Sequence, residues 1–334
     1  MKAFTISRYS KKDKLQWSDV ALPEVKEYDV LVQVNAAGVN SLDSLIKNGD
    51  FKLFLSYKLP LTLGHDVAGI VTKVGSQVSK FKVGDAVYAR PSDYSIGSFA
   101  EFISFNENDA ALKPKKITME EAASLPLVGL TAWQSLIEIA KLKSGQKVFI
   151  QAGSGGVGTF AIQLAKHIGA FVATTTSDVN IALVKSLGAD LVINYKKEDF
   201  SLKLKDYDVV LHSNRDPKVL EQSLRILKPG GHLISLVGPP TPEFAQKLGL
   251  AWYLKLITKL LSSRVKKKAK RLGVNYSFLF MRADGKQLNE IRSLVEAEKI
   301  RPVVDKIYSF DKTNDALSYV ESGRAKGKVV VKVS

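Results

Sequence analysis

Gly153-Ser154-Gly155-Gly156-Val157-Gly158 decides how this chain reads. It follows Lys147-Val148-Phe149-Ile150-Gln151-Ala152, a β-branched and aromatic run that predicts a buried strand. It precedes Thr159-Phe160-Ala161-Ile162-Gln163-Leu164-Ala165-Lys166, whose apolar residues recur at helical spacing. A plain tight turn would need neither flank. Strand, glycine turn and helix together make a dinucleotide site the expectation. Gly153 permits the sharp turn, Gly155 lets a pyrophosphate approach the backbone, and Gly158 allows close helix–strand packing. Ser154, Gly156 and Val157 complete the candidate cofactor loop. The helix start adds unpaired N–H groups and a positive dipole end.

Downstream, strands and helices alternate. Phe171–Thr176 and residues 191–195, 209–212 and 232–237 read as strands, with helices ending at Leu187-Gly188 and at Lys228-Pro229-Gly230-Gly231. This βαβαβ series implies a parallel sheet with right-handed crossovers. Upstream, residues 30–34, 68–74 and 86–89 read as short strands, with turns at Gly75-Ser76 and Gly84-Asp85 and a short helix from Ser41 to Lys47. Many short strands at close spacing predict a small barrel-like domain. A helical region opens at Met119 and runs through Thr131 to Ala140, and residues 328–333 form a lone final strand expected to return to the first domain.

The composition bounds the rest. A length of 334 residues is about two domains. Hydrophobic residues at 45% suffice for real cores. The formal charge of +16 fits nucleic acid, an anionic membrane surface, or a basic enzyme with an anionic cofactor. No motif of aromatics interleaved with a basic strand supports nucleic acid. The absence of cysteine excludes disulfides, thiolate zinc sites and a cysteine nucleophile. The N-terminal residues lack the apolar core of a signal peptide, so a cytoplasmic protein is the expectation.

Five stretches carry a family likeness: Ala37-Gly38-Val39-Asn40-Ser41-Leu42-Asp43, Leu63-Gly64-His65-Asp66-Val67-Ala68-Gly69, Gly129-Leu130-Thr131-Ala132-Trp133, the glycine corner, and Gly323-Arg324-Ala325-Lys326-Gly327-Lys328-Val329-Val330. In order and spacing the chain resembles the medium-chain dehydrogenase/reductase superfamily, in its zinc-independent quinone oxidoreductase (zeta-crystallin-like) branch. The resemblance implies an α/β architecture: a doubly wound Rossmann sheet at 122–282, with a basic helical insertion at 241–275, and a discontinuous GroES-like β-rich catalytic domain at 1–121 with 283–334. Zinc-bearing relatives would present cysteine where Asn40 stands and a four-cysteine lobe near residues 90–110. Neither is present, so no metal is expected, and His65 reads as a hydrogen-bonded histidine at the head of a strand.

An NAD-specific site carries an acid about 20 residues past the glycines. Here Thr174-Thr175-Thr176-Ser177 ends the strand, with Ser177 at the acid's position and Asp178 one step beyond, pointing away. NADPH is therefore the expected cofactor. In the resembling branch a basic residue on the next helix and a tyrosine after the third strand complete the phosphate pocket. Asn180 and Tyr195 stand at those positions, and Lys196 and Lys197 can supply charge. The loop carrying Val237 and Gly238, expected to close the sixth strand, and Phe280 are placed near the nicotinamide by the same resemblance.

The implied reaction is hydride transfer to a quinone or an enone. Without zinc, the developing enolate oxygen needs hydrogen-bond donors, and Asn40 and Thr131 match the family positions. The alternatives are a turn residue for Asn40 and a helix-start hydroxyl for Thr131. Phe51 stands where the resembling site has a tyrosine, so Tyr57 or water is the candidate proton donor. A competing reading is a catalytically weak NADPH-binding sensor or structural protein. Relatives suggest a homodimer.

Residues 244–272 remain. Phe244, Leu248, Trp252, Leu256 and Leu260 recur every fourth position, Tyr253, Ile257 and Leu261 widen that face, and Lys247, Lys255 and Lys259 lie opposite. Arg264-Val265-Lys266-Lys267-Lys268-Ala269-Lys270-Arg271 is densely basic. A lid or ordinary packing is favoured over peripheral membrane contact, since globular helices commonly show such a face.

Overall fold

Six strands in the middle of the chain pair in parallel: β1 (Lys147–Ile150), β2 (Phe171–Thr176), β3 (Leu191–Asn194), β4 (Tyr207–His212), β5 (Leu227–Ser235) and β6 (Asn275–Phe278). Their spatial order is β3-β2-β1-β4-β5-β6. The computed structural model describes all residues, Met1–Ser334. Val148, Phe149 and Ile150 are sealed, as an apolar run covered on both faces must be. Phe149 lies in register with Ala173 on one side and Val210 on the other. It also stacks on Phe200 with centroids 4.9 Å apart.

Helix α1 (Gly156–Ile168) follows β1, burying Phe160, Ala161, Leu164 and Ala165 and stopping at Gly169 in the left-handed conformation (φ 91°). The strand order reverses between β1 and β4, so the crevice at the strands' carboxyl ends opens beside the glycine corner. The sheet has one strand more than the sequence reading supplied. β6 is an edge strand of mixed polarity, Asn-Tyr-Ser-Phe, with no apolar run to mark it. The Gly238-Pro239-Pro240 loop therefore follows the fifth strand and not the sixth.

The stretch 244–272 departs from expectation. Gly249, at φ 63°, divides it into α2 (Pro242–Lys247) and α3 (Trp252–Arg271). α3 packs on α2 and on β6, burying Leu254, Thr258, Ser262, Val265 and Ala269. Trp252, Tyr253, Leu256, Ile257, Leu260 and Leu261 are exposed. The face expected to pack or to line a pocket is thus turned outward. The break at Gly249 resets the helical phase, and the narrow seat over β6 is filled by a stripe of mostly short side chains.

The remaining residues, Met1–Leu130 with Arg282–Ser334, form the second compact unit. Its larger sheet centres on the long strand Asp29–Val39, which pairs antiparallel with Asp66–Val74, Phe102–Asn106 and Lys328–Lys332. Gln16–Asp19, Lys2–Ile6 and Leu61–Thr62 make a smaller sheet. Alternating inward residues Val30, Val32 and Val34 meet Val67, Val71, Phe105, Val329 and Val331 in one core. The seam between the units falls at Leu130/Thr131, later than 121/122. The physical cause is the helix Met119–Ala123, capped reciprocally by Thr118 and Glu121, which packs on strands Asp29–Val39 and Asp66–Val74. No helix is long and apolar enough to cross a membrane.

Candidate functional site

The glycine corner is shaped by two kinds of constraint. Ala152 enters it at φ 52°. A Cβ on Gly153 would lie 2.1 Å from Thr174 Oγ1, and one on Gly158 would lie 2.3 Å from the Ala152 carbonyl oxygen. Those two glycines are required by packing. Gly155 is different: its Cβ would meet only the Ala152 oxygen, at 3.3 Å, so the protein leaves the space over it open. Gly155 also occupies the N-cap of α1, with no side chain capping the helix. Open space, first-turn N–H groups and a positive dipole end converge on one point, which is what a pyrophosphate requires. The residues present therefore fit a dinucleotide.

Beside the corner, Ser154 Oγ accepts from Thr176 Oγ1 (3.0 Å) and from Asn180 Nδ2 (3.2 Å). Asn180 Nδ2 also lies 3.5 Å from Ser177 Oγ. The fold thus gathers Ser154, Ser177 and Asn180 into one cluster. The Asn180 amide oxygen is buried without a partner. Tyr195, just past the end of β3, is exposed and donates its backbone N–H to the Thr176 oxygen (3.3 Å). Asp178 is held by Lys197 at 2.9 Å and by the Asn194 amide, and the Lys197 hydrogen bond keeps its carboxyl below the usual range. Lys197 is thereby spent on Asp178, while Lys196 forms no ion pair.

At the ends of β4 and β5, Ser235 Oγ accepts from the N–H groups of Gly238 (2.7 Å) and Val237 (3.4 Å). Its own proton is then assigned to His212 Nδ1, 2.8 Å away. The other ring nitrogen, Nε2, is buried without a partner. Burial pushes the His212 pKa down to about 4, so the ring is neutral. Phe280 stacks edge-on against Phe244, centroids 5.7 Å apart.

The other unit holds a closed polar cluster. Asn40 ends the strand Asp29–Val39 and caps the helix Ser41–Asn48, and Asp43 Oδ2 accepts from its backbone N–H at 2.7 Å. The second Asp43 oxygen meets His65 Nδ1 at 2.5 Å, both side chains being fully buried. Asn40 Nδ2 donates to Asp66 Oδ2 (2.9 Å) and to the Gly38 carbonyl (3.3 Å). Lys328 Nζ donates to Asn40 Oδ1, to Asp66 Oδ2 (3.0 Å) and to the Val39 carbonyl (3.3 Å). The remaining Asp66 oxygen accepts from the Leu127 N–H at 2.7 Å. Lys328 itself is 4% exposed.

This cluster does not suit a metal. The ammonium of Lys328 already supplies the positive charge between Asn40 and Asp66, and an amide is a poor zinc donor. No group of three or more His, Cys, Asp or Glu side chains is placed to hold an ion.

Of the remaining candidates, Tyr57 has a buried hydroxyl with no partner, and burial pushes its pKa well up, so it stays protonated. Tyr57 makes no hydrogen bond to the Asn40 cluster. Thr131, in the nucleotide-binding unit, lies inside the helix Pro126–Trp133 and not at its start. Its carbonyl accepts from Ser135 Oγ at 2.7 Å, and a π-helical stretch, Gln134–Ile139, follows. Sequence reasoning missed Lys328 and His212 as site residues. A lysine opening the apolar run Val329-Val330-Val331 was the available signal for the first, and a histidine ending an apolar strand for the second.

A family model described as alcohol dehydrogenase GroES-like domain matches residues 26–115, and one described as zinc-binding dehydrogenase matches 187–331. The chain is 38% identical over 342 residues to a 2-methylene-furan-3-one reductase of Solanum lycopersicum, covering 99% of this chain and 79% of that one. It is 36% identical over 342 residues to an NADPH-dependent alkenal/one oxidoreductase, chloroplastic, of Arabidopsis thaliana, with the same coverage. Among solved structures, the quinone oxidoreductase from Coxiella burnetii superposes with a TM-score of 0.86 at 32% identity, covering 100% of this chain and 99% of that one.

Proposed function

The chain belongs to the medium-chain dehydrogenase/reductase superfamily, and from that premise we propose that it is an NADPH-dependent reductase of quinones or α,β-unsaturated carbonyl compounds. The observation that carries this reading is the unfilled space over Gly155 at the uncapped start of α1. Similar proteins bear the names of a 2-methylene-furan-3-one reductase, an alkenal/one oxidoreductase and a quinone oxidoreductase, which supports this reading.

When bound, the reduced nicotinamide supplies a hydride; the chain orients and stabilises. Gly155 and the first turn of α1 hold the pyrophosphate. Ser177, Asn180, Tyr195 and Lys196 make the 2′-phosphate end, where the Asp178 charge is already neutralised by Lys197. In an enone, addition at the β-carbon pushes the alkene pair toward the carbonyl oxygen, which then needs donors. Asn40 is the proposed donor: Lys328 draws electron density from its Oδ1 and so makes its Nδ2 protons stronger. It would exchange the long bond to Gly38 for the substrate oxygen. Thr131 is proposed as a second donor, and the protonated Tyr57 hydroxyl as the source of the proton that completes reduction.

The test is NADPH consumption against a quinone panel and an enone panel. Turnover with at least one class and a higher kcat/KM for NADPH than for NADH is expected. Equal kcat/KM for both coenzymes rejects the assigned 2′-phosphate end, and no turnover with either class rejects the reaction.

A further inference from the structure

α3 presents to solvent a face that a self-contained globular unit would bury. Trp252 is 77% exposed and Leu260 66%, and Tyr253, Leu256, Ile257 and Leu261 are exposed with them. At about 100° per residue, Trp252, Leu256, Leu260 and Tyr253 project away from the buried stripe of Leu254, Thr258 and Ser262, and Ile257 and Leu261 continue the exposed face along one flank of it. On the same outward side the second half of the helix carries Arg264, Lys267, Lys270 and Arg271. The exposed face is therefore apolar first and cationic after. The helix holds eight Lys and Arg and no acid. Arg264 and Lys268 pair with Glu221 and Lys266 with Glu243, while Lys255, Lys259, Lys267, Lys270 and Arg271 form no ion pair.

We propose that α3 docks the protein on the surface of an anionic lipid bilayer, with its apolar first half at the headgroup–acyl boundary and its cationic second half over the headgroups. Charge complementarity selects this occupant. Five unpaired cations beside an apolar face match a negatively charged surface with a hydrocarbon layer beneath it. Trp252 and Tyr253 have the amphipathic rings that favour such a boundary. Lys255 and Lys259, on one edge of the apolar half, can lay their stems along it and reach the phosphates. The helix is too charged to cross the membrane, so it lies in the plane. A second copy of the chain fits poorly, because a two-fold contact on this face would bring together two helices with five unpaired cations each. Docking is independent of hydride transfer.

The test is co-sedimentation of the full chain at low salt with vesicles of phosphatidylcholine alone and of equal parts phosphatidylcholine and phosphatidylglycerol. Two variants accompany it: Trp252→Ser with Leu256→Ser and Leu260→Ser, and Lys255→Glu with Lys259→Glu and Lys267→Glu. Far-UV circular dichroism and Tm confirm that each variant is folded. The wild type should pellet with the anionic vesicles alone, and each variant should partition at least about tenfold more weakly. A wild type left in the supernatant overturns the proposal. So does a serine variant that binds like the wild type, since that result reduces binding to adsorption of a basic protein. A dimer that excludes vesicles and that the serine variant dissolves overturns it in favour of a second copy.

Discussion

The glycine corner and the Lys328 cluster solve opposite problems. At the corner the chain withholds side-chain atoms: over Gly155 only the Ala152 carbonyl oxygen comes near, and the helix start is left uncapped. In the cluster it supplies everything itself, an ammonium between an amide and a carboxylate, all buried. On the proposed reading the first receives an anionic ligand, whereas the second carries its own cation. An open backbone site costs little stability and depends on an external anion. A closed ionic cluster takes charges out of water and depends on each internal partner.

The sharpest way to break this contrast is to remove the internal cation. Lys328→Met leaves Asp66 buried beside Asn40 without its counter-ion and should cost about 3–5 kcal/mol in urea unfolding. Lys328→Met combined with Asp66→Asn should recover part of that loss. A single variant as stable as the wild type would show that the cluster is not charge-coupled.

The corner should respond in binding. Gly155→Val is expected to unfold within about 1 kcal/mol of the wild type but to weaken NADPH binding about a hundredfold, about 2.7 kcal/mol, by fluorescence titration. Gly153→Ala, which drives a Cβ into Thr174, should instead lose about 1–3 kcal/mol of stability. If both variants behaved alike, the distinction between ligand-facing and packing glycines would fail.

His212 sharpens the comparison through pH. Its folded pKa, pushed down to about 4, lies below the unfolded value, so the unfolded state takes up the proton first as pH falls. The contribution is present above about pH 6.5 and is lost as pH drops toward 4, about 2 kcal/mol between pH 7 and pH 5. His212→Gln should flatten that part of the stability profile measured by urea titration at the two pH values. The smallest effect belongs to Lys196→Ala, which should raise KM for NADPH about fivefold with KM for NADH unchanged. A parallel rise in both would move Lys196 away from the 2′-phosphate.

What could be read in advance follows the range of the interactions. At the corner the close packing at Gly158 was legible because it depends on neighbours within a few residues, whereas Gly153, read as the glycine of a sharp turn, is required by Thr174 of the adjoining strand. The pairing of Asp178 with Lys197 and Asn194 was not legible, because both partners lie at and just beyond the end of the next strand. The outward face of α3 was misjudged because its periodicity says only that one face is apolar. Which face is buried depends on the break at Gly249 and on the narrow seat over β6. Thr131 was weighed as a helix-start hydroxyl, yet it sits mid-helix because Pro126 begins the helix earlier.

By itself, the amino-acid sequence determined the alternation of strands and helices, the parallel sheet and the backbone of the phosphate corner, since these are set by local periodicity and by where a Cβ is absent. Only the tertiary structure decided that Lys328 joins Asn40 and Asp66, that His212 Nε2 is buried without a partner, and that an apolar helix face is left to solvent. Those outcomes depend on contacts between residues far apart in the chain, whose burial and pairing no local pattern encodes.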